Sequence, residues 1–361
     1  MRLHYSLRNS PSAQSMAKLI HALLVSGLFV ASCSAQTSSL TVLPWNDHLA
    51  AVSLTFDDAR PVHLDVVVPE LNKRHLRGTF FVTVSKLTRL DDWRRVPLQG
   101  HEIGNHSVSH EHPTFLSREG EEIQVVDAKK FLDSNFKSNI SIYAYPYAET
   151  SPGLTGWVKR YNFAARGGCT DGGCAGDSLY ITPGSMPDWY NLPSQPALTQ
   201  YDPAVYKSWI DKAFSLHAWT IFQIHGIGDP STGWEPIPTN TFISLFDYVR
   251  DAEAKGLWVA PFGEVAAYMR ATDVFEHAEK HSRTTQELTE TTYVWDIPEN
   301  FPPGVTLKVK APTVDGERKP RANQAPEIYL RLYQGQKQLT SDKHGDYTIA
   351  FDAKSLMVVS R

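Results

Sequence analysis

The chain has 361 residues, 42% of them hydrophobic and 20% charged, with 9 Trp, 15 Tyr and 16 Phe. This composition describes a folded globular protein and excludes extended disorder, and the length predicts one large domain plus a smaller one. With 35 basic residues against 39 acidic ones the formal charge is −4, so there is no electrostatic footprint for nucleic acid and that class of partner is set aside.

The first signal along the chain follows Lys18, where an apolar run from Leu19 to Phe29 is closed by Val30-Ala31-Ser32-Cys33. The run is too short to cross a bilayer, and its basic, apolar and small-residue parts describe an export signal over residues 1–33. Val30 to Cys33 also has the pattern of a bacterial lipoprotein processing site, which predicts lipidation of Cys33 and a membrane anchor; ordinary cleavage near Ala35 is the alternative. The expected location is the periplasm or cell surface, or the medium if the chain is not lipidated. Cys169 and Cys174, separated by Thr170-Asp171-Gly172-Gly173, then predict a local disulfide suited to an oxidising compartment. Zinc ligation by that pair would need further ligands beside it, and none is in sequence reach.

From Ala51 to about Met269 strand-like runs alternate with helical patterns, which predicts an α/β fold on a parallel sheet. Strands are expected at Ala51 to Phe56, Thr79 to Thr83, His101 to Asn105, Ile140 to Tyr145, Asn162 to Ala165, Trp219 to Ile224 and Leu257 to Pro261. Helices are expected near Val62 to Arg77, Arg118 to Asn135, Gly153 to Tyr161, Pro203 to Leu216 and Thr239 to Ala254. Residues 166–200 are rich in Gly, Pro, Ser and Asp and read as a long structured loop. After Ala271 a polar stretch leads to short alternating runs at 291–295, 305–309, 328–333 and 347–351. Residues 271–361 are therefore expected to form a small β-sandwich-like domain, in structural support or in glycan binding.

Three constellations carry chemistry. Asp57 and Asp58 end an apolar strand, the position where parallel α/β folds place active sites; capping of the next helix is the bland alternative. His106 and His110 are four apart, a spacing that puts both on one side of a helical turn, where with one carboxylate they can hold a metal ion. His225 leaves a late apolar strand into a Gly-rich loop, and imidazole is well suited to proton transfer.

In this order and spacing the residues resemble the polysaccharide deacetylase family, carbohydrate esterase family 4 with its NodB-homology domain. Thr55-Phe56-Asp57-Asp58 corresponds to its first motif, His106-Ser107-Val108-Ser109-His110 to its second and Ile224-His225 to its last. The resemblance covers residues 40–270. It implies a distorted (β/α) barrel and a divalent ion, usually Zn2+ with Co2+ an alternative, on Asp58, His106 and His110. It implies further that Asp57 is the general base, that His225 protonates the leaving group, and that the Tyr147 N–H helps to stabilise an oxyanion, with an acetylated polysaccharide or oligosaccharide as substrate. Pro146 and Tyr147 would border the substrate.

The third motif departs from the family's Arg-x-Pro-Tyr: this chain has Ala144-Tyr145-Pro146-Tyr147, without the arginine that pairs with the base. Arg166, at the end of the next strand-like run, is the nearest replacement. Asp188, followed by Trp189, is the best match to the Asp and Trp that orient the proton-donating histidine, with Asp177 second. Trp189 and Trp234 are candidate sugar-stacking platforms. Two other readings remain at this level: a catalytically silent glycan-binding surface protein, and a hydrolase of another amide or a cyclic imide with a closed pocket.

Overall fold

The structure is a computed structural model and describes residues 40–168, 176–311 and 330–360. The export segment 1–33 with Cys33, and the pair Cys169 and Cys174, lie outside the described residues. No helix among the described residues is long and apolar enough to cross a membrane.

After a two-residue strand β1 (Thr41–Val42), five parallel strands build most of the barrel: β2 (Ala50–Asp57), β3 (Thr79–Val82), β4 (Glu102–Asn105), β5 (Ile142–Ala144) and β6 (Ala164–Arg166). They lie in the order β6-β5-β4-β3-β2. Short β7 (Tyr180–Ile181) and β8 (Gln195–Pro196) precede β9 (Trp219–Ile224) and β10 (Leu257–Val259). β9 runs parallel to β2 from Ala51 opposite Trp219 to Phe56 opposite Ile224, and β10 pairs with the first residues of β2. Every residue of β2 is buried, as expected of a central parallel strand covered on both faces, and this is why its sequence is nearly continuous in apolar and small residues.

Helices cover the outside, and their starts follow from sequence. Ser151 Oγ accepts from Leu154 N at 3.0 Å ahead of helix Pro152–Tyr161, and Asp202 Oδ1 accepts from Ala204 N and Val205 N ahead of helix Pro203–Leu216. In both, proline occupies the first turn, where no amide donor is needed. The helix expected over Val62 to Arg77 is shorter, since it stops at Lys73 and His75 turns left-handed with φ of 58°.

The segment expected to be a loop, 166–200, does more than connect. Ala165 N donates to Trp189 O and Gly167 N to Leu192 O, both at 2.8 Å, so residues 189–192 run along β6. Three residues later β8 pairs with β9, opposite Phe222. This irregular stretch closes the gap between the two edges of the sheet, so the barrel is completed without a regular strand there.

Residues beyond the barrel form two antiparallel sheets. β11 (Glu279–Thr284), β12 (Thr289–Val294), β14 (Leu330–Gln334), β15 (Lys337–Gln338) and β17 (Ser355–Ser360) make one, and β13 (Thr306–Lys310) with β16 (Asp346–Ala350) joins β1 in the other. Their inner faces, Leu307, Val309 and Ile349 against Leu332, Leu356 and Val358, share a single core. That core is continuous with helix Phe262–Glu276, which the sequence periodicity did not predict: Phe275 stacks on Tyr293 at 5.5 Å and meets Trp295 edge-on. The position between residues 270 and 271, where a domain boundary is expected, falls inside this helix, and barrel and sheets together form one compact unit.

Candidate active site

Five parallel strands deliver their last residues to one end of the barrel: Asp57 from β2, His106 after β4, Tyr147 after β5, Arg166 from β6 and His225 after β9. Consecutive strand residues ordinarily point to opposite faces. Asp57 and Asp58 escape that rule because Asp58 and Ala59 have φ of 79° and 55°, a left-handed turn that folds the second carboxylate back over the same cleft. Ser107, His110, Tyr147 and Ala148 are also left-handed, and such a concentration of non-glycine residues in costly backbone conformations is characteristic of functional sites.

The helical turn expected for 106–110 is absent. These residues are a loop held by side chains: Ser107 N donates to Asn105 Oδ1, His110 N to Ser107 Oγ, and Val108 N and Ser109 N to Gln124 Oε1, all at 2.9–3.0 Å. The loop nevertheless brings the two imidazoles together, edge to face at 4.9 Å. His106 Nδ1 lies 2.8 Å from Ala144 O, and facing a carbonyl it can only donate. Nε2 therefore carries the lone pair, and this buried atom has no hydrogen-bond partner among the described residues. It lies 3.9 Å from Asp58 Oδ1, while His110 Nε2 lies 3.4 Å from the same oxygen. One ligand atom from each of Asp58, His106 and His110 falls within 4.8 Å of the others. A carboxylate, an imidazole fixed in the ligating tautomer by a second hydrogen bond and a second imidazole fit a divalent metal with open positions.

Asp57 is fully buried. Arg166, 1% exposed, donates from NH2 to Asp57 Oδ2 at 2.5 Å, and Gln223 Nε2 donates to the same oxygen at 3.3 Å. The guanidinium also packs 5.2 Å over the ring of Phe81, and NH1 faces Ser194 Oγ at 3.4 Å. Asp57 Oδ1 has no partner among the described residues. Burial is the largest single influence on Asp57 and opposes its ionisation, but Arg166 together with His106 and His225 outweighs it and holds the carboxyl below the usual range. Asp58 is likewise held below the usual range against its own burial, by His106 and by a hydrogen bond from Lys86. Burial lowers all three site histidines, His110 and His225 to about 4, so each is a neutral imidazole near pH 7.

His225 Nε2 is 3.6 Å from Asp57 Oδ2. Its backbone is fixed by buried His63, whose Nε2 meets His225 O at 2.7 Å, and its ring meets Trp234 edge-on at 5.0 Å. Half-exposed Trp234, together with Tyr147, Arg60, Lys86 and Gln223, lines a cavity of about 480 Å³ over the cluster of Asp58, His106 and His110. Tyr147 stacks on His112 at 3.6 Å and touches His110 edge-on.

Three residues expected at the site lie off this cavity. Asp188 is exposed and accepts from Tyr190 N at 3.0 Å, the ordinary role of an Asp in a turn; Trp189 packs on the barrel core under Arg270; Pro146 is buried in the turn before Tyr147. Asp177, the second choice for the orienting acid, is exposed and paired with Lys212 at 3.0 Å. Sequence reasoning missed Gln223, Arg60, Lys86 and His63. Gln223 had a signal, being the polar residue inside the otherwise apolar end of β9; His63 had another, a histidine within an apolar helical run.

Residues 46–165 match the family model described as polysaccharide deacetylase. A gellan lyase from Bacillus sp is 25% identical over 254 residues, 63% of this chain and 10% of the relative. The peptidoglycan-N-acetylglucosamine deacetylase of Bacillus cereus strain ATCC 14579 is 25% identical over 122 residues, 33% of this chain and 44% of the relative. The matches thus span about a tenth and less than half of the length of these two curated relatives. Among solved structures, a protein from Mycobacterium smegmatis provisionally assigned as a polysaccharide deacetylase superposes with a TM-score of 0.50 at 17% identity, covering 65% of this chain and 96% of its own, which establishes the shared barrel fold. Residues 46–165, which hold the first two motifs, thus match the polysaccharide deacetylase family, and the barrel surrounds them.

Proposed function

We propose that this protein hydrolyses acetyl groups from a glycan with a divalent metal ion held by Asp58, His106 and His110. The observation that carries the reading is the pairing of Asp57 with Arg166 directly beside that cluster: a buried carboxylate kept ionised, with one oxygen that has no hydrogen-bond partner among the described residues. The chemistry such an ion supplies when bound is Lewis acidity toward water and toward an acetyl carbonyl. Asp57 accepts the proton of the attacking water. His225, 3.6 Å away, offers the proton a short path to the departing amine or alcohol. The Tyr147 N–H, in the turn beside His110, is the proposed donor to the oxyanion. Trp234 offers an exposed apolar face at the cavity mouth against which a sugar ring can stack.

The one-carboxylate, two-imidazole set suits zinc, with cobalt as a substitute. The name of the Bacillus cereus relative supports an N-acetylhexosamine polymer as substrate, and O-acetylated polysaccharide uses the same chemistry. Export through residues 1–33, with Cys33 lipidated, would bring the site to a wall or surface glycan. The silent glycan-binding alternative drew on the missing motif arginine; Arg166 at 2.5 Å from Asp57 weighs against it.

The test is acetate release by the zinc-loaded protein from chitooligosaccharides, peptidoglycan fragments and acetylxylan, beside Asp57→Asn. The expected result is release by the wild type and a loss of at least about a hundredfold in Asp57→Asn with unchanged zinc content, the scale of a positioned general base. A wild-type protein that binds zinc and releases no acetate from any of the three would overturn the proposal.

A further inference from the structure

Asp58 is shared by two cations that the metal-binding arrangement does not require. Arg60 donates to Oδ2 from NH2 at 2.8 Å and Nε at 3.2 Å, and Lys86 Nζ donates to Oδ1 at 2.9 Å. Asp58 itself is 4% exposed, whereas the Arg60 and Lys86 side chains are 30% and 33% exposed at the mouth of the cavity. Both are fixed by local backbone. The left-handed pair Asp58 and Ala59 folds Arg60 back over the site. Lys86 ends a short turn tied to the histidine loop through Val84 N to Ser107 O and Ser85 N to Val108 O.

The charges do not balance. Asp57 is already matched by Arg166, and Asp58 is the single carboxylate among the described residues that line the cavity. One acid therefore faces two cations, and a divalent ion on Asp58 adds to the positive side. A neutral acetylated sugar does nothing to offset that excess, while an anionic group at the mouth would be held by two charge-assisted hydrogen bonds.

Resting on the deacetylase reading, we infer that Arg60 and Lys86 form a subsite for a sugar carboxylate, so that the protein selects acetylated glycans in which an acidic sugar neighbours the acetylated one. The two side chains sit where a ligand can reach them without unburying Asp58, and Trp234 offers the adjoining ring platform.

Calorimetric titration of the zinc-loaded protein with chitotetraose and with a tetrasaccharide of alternating N-acetylglucosamine and glucuronate tests this. The acidic ligand is expected to bind at least about tenfold tighter at low salt, the size of one or two charge-assisted hydrogen bonds at a partly exposed site, with the gap narrowing as salt rises. In Arg60→Met/Lys86→Met, checked for fold and zinc content, the preference for the acidic ligand over the neutral one is expected to fall to about twofold or less. Equal affinities in the wild type, no binding of either ligand, or a preference that survives the double substitution would overturn the inference. Binding is read without turnover, so acetate measured on the same samples reports separately on hydrolysis: intact acidic preference with no acetate would sink the deacetylase reading and support the subsite.

Discussion

Replacing Arg166 with Met takes the one positive charge away from a carboxylate that has no solvent to fall back on. Asp57 is fully buried and Arg166 is 1% exposed, so the pair is scarcely screened by water. At salt-bridge distance a unit-charge pair is worth about 4 kcal/mol at an effective dielectric constant near 20. In the wild type the depressed carboxyl adds stability that is present above its unfolded value of 3.8 and is lost only as pH falls through the lower folded value. Without Arg166 burial is the largest influence left and raises the carboxyl, so stability would instead be lost as pH rises past 3.8. The acid limb of kcat/KM for acetate release should move to higher pH, and urea denaturation at pH 7 should show a loss of about 3–5 kcal/mol, the usual cost of orphaning a buried charge. Adding Asp57→Asn to Arg166→Met should return much of that stability, because the stranded charge is gone, while leaving the enzyme inactive. Arg166→Met with an unmoved acid limb and an unchanged urea midpoint would refute the electrostatic role assigned to this pair.

Gly104 on β4 underlies the same pair: a methyl group there would sit 2.4 Å from the Phe81 ring that supports Arg166, so Gly104→Ala should cost about 1–3 kcal/mol in urea melts and also lower kcat. His63→Phe keeps the packing against Phe56, Phe80 and Trp93 but removes the donor to His225 O, so kcat should drop several-fold with KM steady; an unchanged kcat would reduce His63 to packing alone. Glu102 begins β4 at the opposite end of the barrel, where burial pushes its carboxyl up to about 7 despite hydrogen bonds from Gly263 N and Thr79 Oγ1. A raised carboxyl costs stability as pH climbs from its unfolded 4.5 through 7, so Glu102→Gln should gain on the wild type by about 2 kcal/mol between pH 5 and pH 8, and a pH-independent difference would contradict this.

The residues that sequence made legible are those that end long apolar runs. Asp57 and Asp58 close a strand buried at every position, and His225 closes β9, so their placement follows from the strand ends alone. Arg166 was named by the same rule, as the end of the next strand-like run, and it ends β6 in register with Ala144, the position where this chain lacks the motif's arginine. Asp188 and Trp189 came from a motif match within an irregular segment, where no periodicity fixes which way a side chain turns. The histidine spacing was right but its backbone was not, because Asn105, Ser107 and Gln124 replace helical hydrogen bonds with side-chain ones. Helix Phe262–Glu276 escaped notice because it carries apolar residues around much of its circumference, which blurs the one-sided stripe of a surface helix. β11, exposed at every residue, offered no apolar alternation to read.

Helix Phe262–Glu276 has a consequence for how the molecule is made. Leu43 O accepts from the Tyr268 hydroxyl at 2.7 Å, β1 pairs with β13, and Phe275 reaches into the strands that follow. A ribosome that has finished the barrel strands has therefore produced a chain whose last helix still presents bare apolar surface and whose first strand still lacks its partner. Both are completed only after residue 310 and the final strand have emerged, so a gene truncated at residue 270 should yield aggregated material rather than a minimal hydrolase.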